Sequence, residues 1–578
     1  MNQSCLHADL QRLRRRMESL YGAEADTCLE RLVMTAGRYD IHPASRPPPQ
    51  SWTQADILLI AYGDILQNLP ERPLVTLKRF LDQHLKHVFN WVHLLPFFPY
   101  SSDDGFAVMH YRNINPKLGT WADLRALQEH FQLAFDLVLN HVSAKSGWFS
   151  DYLIGVAPAR HYFIEVDPAD DCSAVVRPRC GLPFTSFMTR EGVRHVWTTF
   201  SPDQIDLNYT QPDVLFEIFD LLLYYIAMGA RMIRLDAVAY LWKKPGTTCI
   251  NLPETHEIVR LFRDWLALNA PDVRLLTETN VPQAENISYF GVGDEAHMVY
   301  QFVLPPLLLH TLLVGNTTAL AQWAGALPAP PPGCTFLNFT ASHDGIGLRP
   351  LEGLLAQTDI QRLCALVRQQ GGDVSERTNA DGSQSPYELN ITWFDALTGA
   401  GPYAGPEHVQ RFLCSQLIAL ALKGVPAIYF NSLVATPNDS AGVERTRQPR
   451  AINRRKWMET DLLKQLNDPA TATARVFHEC RRVLQLRARH PAFHPDGPQK
   501  VLDCGSACFA LERTAPDGSE SIVCLSNCTA QRLALDLHSH QQLPSALYDI
   551  LHDHRVYKRN AVNLAPYQTV WLSGVAPH

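Results

Sequence analysis

The sequence has no cysteine pair spaced for a zinc site, no long apolar run and no long basic run. Its 13 cysteines are scattered, odd in number and free of CxxC pairs, which argues against a zinc site and against a disulfide framework. The most apolar stretch, residues 412–430, is interrupted by Lys423, Gly424 and Pro426, so it does not predict a membrane span. With a net charge of −7, the chain is a poor candidate for binding nucleic acid.

The first residues are polar and charged rather than apolar. The opening "MNQSCLHADLQRLRRRMESL" contains no segment like that of a secretory signal peptide. Together with the unpaired cysteines, this predicts a cytoplasmic protein with reduced thiols. Hydrophobic residues make up 46% of the 578 residues, which is enough for a large buried core.

Short β-branched or apolar segments alternate with longer helical segments through most of the chain. Eight such segments are candidate strands, and helices such as 212–228 and 256–268 fall between them. Eight alternations of strand and helix predict an α/β protein with a (β/α)8 TIM barrel. The eight segments are "DILLIAYGD", "NWVHLLPFF", "LAFDLVLNHV", "ARMIRLDAV", "VRLLTETN", "HMVYQF", "TFLNFTASHDG" and "VPAIYFNS".

The pattern predicts three domains. Residues 1–50 are expected to form a helical extension, residues 51–490 the barrel, and residues 491–578 a small antiparallel β domain. Within the barrel, irregular segments at about 142–205 and 350–395 are predicted to be inserted subdomains, because loops of this length usually carry function. The role of the extension, as a dimer contact or as a cover for the barrel, is left open.

Polar side chains stand at the ends of the predicted strands. Because barrel enzymes carry their chemistry at the C-terminal strand ends, these side chains are expected to meet on one face. The adjacent charges Arg234 and Asp236 are consistent either with a structural ion pair or with a catalytic carboxylate kept ionised by its neighbour. The occurrence of several such ends together favours catalysis. The strand-end residues are Asp64, His93, Asn140, His141, Arg234, Asp236, Glu278, His343 and Asp344.

Four motifs in fixed order resemble the conserved regions of the α-amylase superfamily, glycoside hydrolase family 13. They are "DLVLNHVS", "RLDAVAY", "TETN" and "ASHDG", and the resemblance covers roughly residues 50–480. Further segments, including "RPRCGLPFTSF", "IDLNYTQPDV" and "RAINRRKW", resemble the sucrose phosphorylase branch. By this resemblance Asp236 is the nucleophile, Glu278 the acid/base and Asp344 the stabiliser of the transition state.

These residue types suit a retaining glycosidic mechanism. One carboxylate attacks C1 while a second carboxyl group, about 5–5.5 Å away, protonates the leaving oxygen. Asp236 is expected to be ionised beside Arg234, whereas Glu278 must begin protonated, with a raised pKa. The resemblance assigns Arg234, His343 and Asp344 to sugar binding as well.

The resemblance also assigns a pocket for a terminal glucose. Asp103 and Arg450 resemble the pair that holds the 4-hydroxyl, Phe106 is expected to lie beneath the ring, and His141 to donate to a hydroxyl. The asparagine that matches Asn140 helps to hold calcium in many amylases. The sucrose phosphorylase branch is not known for calcium dependence, so we predict no metal and no cofactor.

Phosphate requires cationic and hydroxyl donors beside the glucose pocket. Arg179 matches the phosphate-contacting arginine of sucrose phosphorylases, and Tyr240 and Tyr387 match two tyrosines implicated there. The acid/base motif reads Glu-Thr-Asn here and ends in Asn280, where sucrose phosphorylases commonly read Glu-Val-His. A neutral amide thus replaces a histidine that could contact phosphate or fructose, which argues against sucrose as the substrate.

Longer segments such as "SERTNADGSQSPYELN" look more like the glucosylglycerate phosphorylases of the same branch. This resemblance implies transfer of glucose from 2-O-α-D-glucosylglycerate to inorganic phosphate, giving α-D-glucose 1-phosphate and glycerate by double displacement. Candidates for binding the glycerate carboxylate are Arg177, Lys243, Asn280 and Arg377.

Alternative substrates within the branch are sucrose, glucosylglycerol and sucrose 6-phosphate. A glucosidase or a transglucosidase is a further, less favoured alternative. A non-catalytic amylase-like subunit would be expected to have lost its carboxylates and to carry a membrane span. The predicted partners are an α-glucoside and phosphate, with no nucleic acid and no membrane, and a homodimer is left open.

Overall fold

The computed structural model describes residues 3–39, 41, 52–379, 381–399, 406–538, 544–552 and 555–575. The proline-rich connection after the N-terminal helices falls at residues 42–51, outside the described residues.

Eight parallel strands close into a barrel, and each strand pairs with the next one along the ring. All eight predicted segments supply a strand, so the (β/α)8 prediction is confirmed. Closure is completed by pairing of the last strand with the first. The strands are β1 (Leu58–Ala61), β2 (Trp91–Leu94), β3 (Gln132–Val138), β4 (Ala230–Asp236), β5 (Arg274–Thr277), β6 (Met298–Tyr300), β7 (Thr335–Phe339) and β8 (Val425–Tyr429).

The barrel strands are apolar almost throughout because both of their faces are covered. Every residue of β1, β2, β5, β6, β7 and β8 is buried. The register between β3 and β4 places Asp136 opposite Arg234 and Val138 opposite Asp236. Two adjacent strands therefore place Asp136 beside Arg234, two residues before Asp236 at the C-terminal end of β4.

The helices between the strands often begin at a proline, which suits the first helical turn because its missing N–H needs no partner there. Pro73, Pro212 and Pro253 each hold this position. The principal helices of the barrel region are Pro73–His84, Trp121–Leu127, Pro212–Ala227, Pro253–Asn269, Leu304–Val314, Thr318–Ala326, Gln357–Gln369, Pro406–Ala421, Glu459–Leu466 and Ala472–Arg487.

The described part of the N-terminal extension consists of helices α1 (Gln3–Tyr21) and α2 (Ala25–Gly37). From α1, Arg12 and Arg16 donate to Asp264 at 2.8 and 3.0 Å. From α2, Arg31 lies over the ring of Phe216. The extension thus covers the two helices that lead into β4 and β5. Asp236 is the last residue of β4, and Glu278 directly follows β5.

The first predicted insertion contains its own small sheets. Strand His141–Ser143 pairs with Gln204–Asp206, and strand Phe184–Thr189 forms a hairpin with Gly192–Trp197. Helix Gly147–Ile154 follows strand His141–Ser143 in the sequence, and its N-terminus is capped by the Ser146 side chain.

The second predicted insertion supplies two strands of a three-stranded antiparallel sheet, whose order is Ile346–Gly347, Gln384–Asn390 and Asp373–Thr378. The short first strand precedes the predicted insertion and lies in the segment that follows β7, so this sheet stands at the C-terminal mouth of the barrel.

The C-terminal residues form antiparallel sheets, as predicted. The larger sheet has six strands, and a separate pair joins Leu533–Leu535 to Val562–Leu564. The fully buried Arg513 ties the larger sheet to the barrel by donating to the Ala421 carbonyl at 2.7 Å, which compensates its burial. In sheet order the six strands are Gln499–Val501, Cys508–Thr514, Ser521–Asn527, Thr569–Ser573, Ala546–Asp549 and Arg555–Lys558.

No helix in the described part of the chain is both long enough and apolar enough to cross a membrane.

Candidate active site

A pocket of about 670 Å³, including its open mouth, lies at the C-terminal ends of the barrel strands. Four of the strand-end residues take no part in its lining: Asp64, which pairs with Lys456 at 2.6 Å, and the buried His93, Asn140 and Arg234. Most other predicted site residues are brought together here: Asp103, Phe106, His141, Asp236, Tyr240, Glu278, Asn280, His343, Asp344, Tyr387 and Arg450.

Asp236 is the last residue of β4 and is held by a buried charge network. Arg234 Nη1 donates to Asp236 Oδ1 at 2.7 Å and also to Asp136 on the neighbouring strand. The other Asp136 oxygen lies 2.7 Å from His93 Nε2. Burial would raise the pKa of Asp136, but Arg234 and His93 together outweigh it and hold that pKa below its ordinary value. Arg234, only 2% exposed, does not line the pocket and orients the nucleophile candidate; its expected role in sugar binding stays a prediction.

Sequence reasoning missed Asp136, because it lies in the middle of β3 rather than at its end. The available signal was a single acidic residue inside the apolar run "LAFDLVL". A charge in such a run must be paired to be tolerated, and its partners proved to be residues of the two flanking strands.

Glu278 follows β5 and stands beside Asp236. Its Oε2 accepts a hydrogen bond at 2.9 Å from the amide of Ala237, the residue directly after Asp236. Burial raises the pKa of both carboxyl groups; the charge of Glu278 adds to the rise at Asp236, and the charge of Asp344 adds to the rise at Glu278. The Arg234 guanidinium opposes the rise at Asp236 and donates a hydrogen bond to that carboxylate, which suits Asp236 as the nucleophile and Glu278 as the group that carries the proton.

Asp344 faces this pair from the loop after β7. Burial would raise the pKa of Asp344, but His343 and Arg450 outweigh it and leave that pKa below its ordinary value. Burial also lowers the pKa of His343 to about 3, so this imidazole is neutral near pH 7. The cation that stabilises the carboxylate there is Arg450, whose Nη1 lies 2.7 Å from Asp344 Oδ1.

Asp103 and Arg450, the residues predicted to hold the 4-hydroxyl of glucose, both line the pocket, but their ion pairs are formed with other residues. Asp103 Oδ1 lies 2.9 Å from Arg454 Nη1, and Asp104 shares the same guanidinium at 3.1 Å. Arg450 instead pairs with Asp344 and with Glu388. The reason is the turn formed by Pro449–Asn453, which directs two arginines four residues apart to different carboxylates.

Phe106 and two histidines form one wall of the pocket. The Phe106 ring stacks on His343, with centroids 4.5 Å apart and planes 3° from parallel. His141 Nε2 lies 2.9 Å from the Phe106 carbonyl oxygen. A sugar hydroxyl would have to share that donor, and the expected role of His141 in sugar binding stays a prediction.

Lys243, a candidate for binding the glycerate carboxylate, is already fully engaged elsewhere. Its Nζ lies 2.8 Å from Asn140 Oδ1 and 2.6 Å from Asp206 Oδ2. The lysine ammonium is thus the cation that faces Asn140, the residue matched to a calcium ligand. Among the described residues, no group of three or more histidine, cysteine, aspartate or glutamate side chains is arranged to hold a metal ion.

Replacing Lys243 by methionine should destabilise the protein by about 3–5 kcal/mol, because Asp206 would be left as an unpaired buried charge. Urea unfolding measures the loss. The exposed neighbour Lys244 is the matched control, and its change to methionine should leave the unfolding curve nearly unchanged. Equal behaviour of the two variants would contradict this role for Lys243.

Arg177, a second candidate for the carboxylate, is used to shape the loop around it. Its guanidinium donates to the carbonyl oxygens of Thr199, Gly181 and Leu182. These bonds hold the inserted segment in place, and a role of Arg177 in binding the carboxylate stays a prediction.

Tyr240, Asn280 and Tyr387 line the side of the pocket next to Glu278. Asn280 Nδ2 donates to Tyr387 Oη at 3.3 Å. Burial raises the pKa of Tyr240 to about 12, so its hydroxyl remains a hydrogen-bond donor at neutral pH. Arg179 lies next to this wall, partly exposed, and donates to the carbonyl of Pro178, which is itself a pocket residue.

The chain is similar to α-amylase-type domains and to several phosphorylases. Residues 83–312 match the α-amylase catalytic domain. The chain is 43% identical to the glucosylglycerate phosphorylase of Escherichia coli (strain K12), over 90% of this chain and 92% of that protein. It is 31% identical to a sucrose phosphorylase of Agrobacterium vitis, over 78% of this chain and 91% of that protein.

Among solved structures, the sucrose 6F-phosphate phosphorylase from Thermoanaerobacter thermosaccharolyticum superimposes with a TM-score of 0.72 at 26% identity. The match covers 85% of this chain and 97% of that one.

Proposed function

The chain belongs to the α-amylase family, and on that basis we propose that it is a retaining phosphorylase of 2-O-α-D-glucosylglycerate. It transfers the glucosyl unit to inorganic phosphate and yields α-D-glucose 1-phosphate and glycerate. The observation that carries this proposal is the 43% identity to a glucosylglycerate phosphorylase over 90% of the chain. More distant sucrose phosphorylases make sucrose the second candidate, and Asn280 argues against it.

In the first step Asp236 attacks C1 of the glucosyl unit. The bond from C1 to the glycerate O2 breaks, and the proton of Glu278 passes to that oxygen. Glycerate therefore leaves with a hydroxyl group at this position. The hydrogen bond from Arg234 supports this role because it fixes the direction of the attacking carboxylate and favours its ionised form.

In the second step a phosphate oxygen attacks C1 of the glucosyl-enzyme. The bond from C1 to Asp236 breaks, and Glu278 takes the proton that the phosphate hydroxyl releases. Asp344, ionised beside Arg450, stabilises the positive charge that develops on the sugar in both steps. Two displacements at one carbon retain the α configuration.

Phosphate rather than water is the acceptor because donors for an anion line the pocket next to Glu278. Tyr240 and Tyr387 supply hydroxyls, and Arg179 supplies a cation next to them. Asp103 and Arg450 both line the pocket, which supports their proposed role at the far end of the glucose, and Arg454 holds the Asp103 carboxylate in place. The cytoplasmic location and the homodimer stay predictions.

The test is phosphorolysis by the purified protein, with α-D-glucose 1-phosphate as the measured product. Glucosylglycerate, glucosylglycerol and sucrose are supplied separately with inorganic phosphate. Product from glucosylglycerate at the highest kcat/KM supports the proposal. Higher kcat/KM with sucrose makes sucrose the substrate, and free glucose formed without dependence on phosphate makes the protein a hydrolase.

A further inference from the structure

Arg349, which follows the "HDGIG" motif, is a cation beside the pocket that sequence reasoning missed. Its positive charge opposes the rise that burial causes in the pKa of Tyr240. The same guanidinium opposes the rise in the pKa of Tyr387 and helps to lower the pKa of Arg377. Arginines 179, 349 and 377 all act electrostatically on Tyr240, which lines the pocket together with Glu278.

The guanidinium of Arg349 is buried without sufficient partners. The residue is 8% exposed, and its Nε and Nη1 have no hydrogen-bond partner among the described residues. The nearest acidic oxygen, on Glu352, lies 3.8 Å from Nε, beyond hydrogen-bond length. That oxygen already accepts from Arg377 at 2.9 Å. An enclosed cation in this state is costly unless an anion joins it.

In the described part of the chain, no nearby carboxylate of the pocket is free to neutralise Arg349. Glu388 forms its ion pair with Arg450, and Asp344 is engaged with the same arginine. Glu352 is 46% exposed and shared between two arginines. The cluster therefore carries an excess of positive charge, which an anionic ligand would offset.

The backbone fixes Arg349 close to the leaving group. The amide of Leu348 donates to the Tyr387 carbonyl at 2.9 Å, which anchors the segment to the wall of the pocket. Gly347 packs directly on the Asn280 side chain, since a Cβ there would come within 2.4 Å of Asn280 Oδ1. Asn280 lies two residues beyond Glu278, which protonates the leaving oxygen. The cations thus adjoin the site of the aglycone and not that of the glucose ring.

We propose that Arg349, assisted by Arg377, binds the carboxylate of the glycerate aglycone. This inference rests on the proposed function and names the residue that selects its substrate. A guanidinium binds a carboxylate with strong charge-assisted hydrogen bonds. Asn280 complements it, because its Oδ1 is buried without a donor and can accept from the remaining glycerate hydroxyl.

The arrangement also accounts for discrimination among aglycones. An uncharged aglycone such as glycerol would leave the Arg349 guanidinium buried and unpaired, and a site built for a polar group rejects ligands that lack it. The partly exposed Arg179 is left to receive phosphate, which enters from solvent after glycerate departs.

The experiment measures transfer from α-D-glucosyl fluoride to glycerate and, separately, to glycerol, with no phosphate present. Under these conditions the glycerate carboxylate is the only acceptor anion. Arg349→Gln should lower kcat/KM for glycerate by about 10- to 100-fold, the usual effect of losing a hydrogen bond to a charged group. The same substitution should change kcat/KM for glycerol by less than about threefold. Arg349→Lys, which keeps the charge, should lie between.

Arg362→Gln is the matched control, because Arg362 is exposed on the helix Gln357–Gln369. It should transfer to glycerate like the wild type. Thermal unfolding and the consumption of α-D-glucosyl fluoride without acceptor report whether each variant is folded with a working glucose pocket.

Three results would overturn the inference. In the first, Arg349→Gln transfers to glycerate as well as the wild type does. In the second, its transfer falls equally to glycerate and glycerol, which marks a structural role. In the third, phosphorolysis shows a raised KM for phosphate while glycerate transfer is intact, which makes this a phosphate site. A wild type that prefers glycerol to glycerate would instead refute the proposed function.

Discussion

Asp236→Asn should reduce phosphorolysis of glucosylglycerate by at least about 10⁴-fold, because the amide cannot form the covalent glucosyl-enzyme. The substitution nearly preserves the shape of the side chain, and its Oδ1 can still accept from Arg234. The protein should therefore fold normally and bind substrate, and the loss should appear in kcat rather than in KM.

Two measurements check this result. Initial rates give kcat, and the intact mass of the protein mixed with α-D-glucosyl fluoride reveals the glucosyl-enzyme, which only the wild type should form. Asp461→Asn, on the exposed side of helix Glu459–Leu466, is a control that should be fully active. A variant at Asp236 that retained more than about one per cent of the activity would exclude this residue as the nucleophile.

Glu278→Gln should lower kcat for glucosylglycerate by about 10²- to 10⁴-fold, the usual contribution of a general acid. Glycerate O2 is a poor leaving group without a proton, whereas fluoride leaves without one. The variant should therefore still form the glucosyl-enzyme from α-D-glucosyl fluoride. Equal losses with both donors would show that Glu278 does not supply the proton.

The pH profile provides a second readout for the same residue. Burial raises the pKa of Glu278, so the protonated acid persists to higher pH than an exposed glutamate would. Activity of the wild type should fall as the pH rises through that pKa, because the acid is then lost. The glutamine variant should lack this alkaline decline, and a profile identical to that of the wild type would contradict the assignment.

The fold and the catalytic candidates were accessible from the sequence because both depend on local patterns. An apolar segment of strand length predicts a buried strand wherever it occurs, and all eight such segments form the barrel. Parallel strands then place their C-terminal ends on one face, which brings Asp236, Glu278 and Asp344 to one pocket.

The pairing of charges was decided by the tertiary structure alone. Arg454 meets Asp103 across 351 positions of sequence, and nothing in the local pattern distinguishes it from Arg450. Lys243 and Arg177 read as free cations in the sequence, yet one neutralises a buried aspartate and the other binds backbone carbonyls.

The value of a charged residue depends on which partners the fold leaves it. In the sequence, Arg349 resembles any loop arginine. The structure shows that it is buried and that the nearby carboxylates are engaged with other cations. The sequence by itself determined the barrel and the three carboxylates, because hydrophobic period and strand ends are local properties. Only the tertiary structure decided the specificity site, because electrostatic pairing acts across space between segments that are remote in the chain.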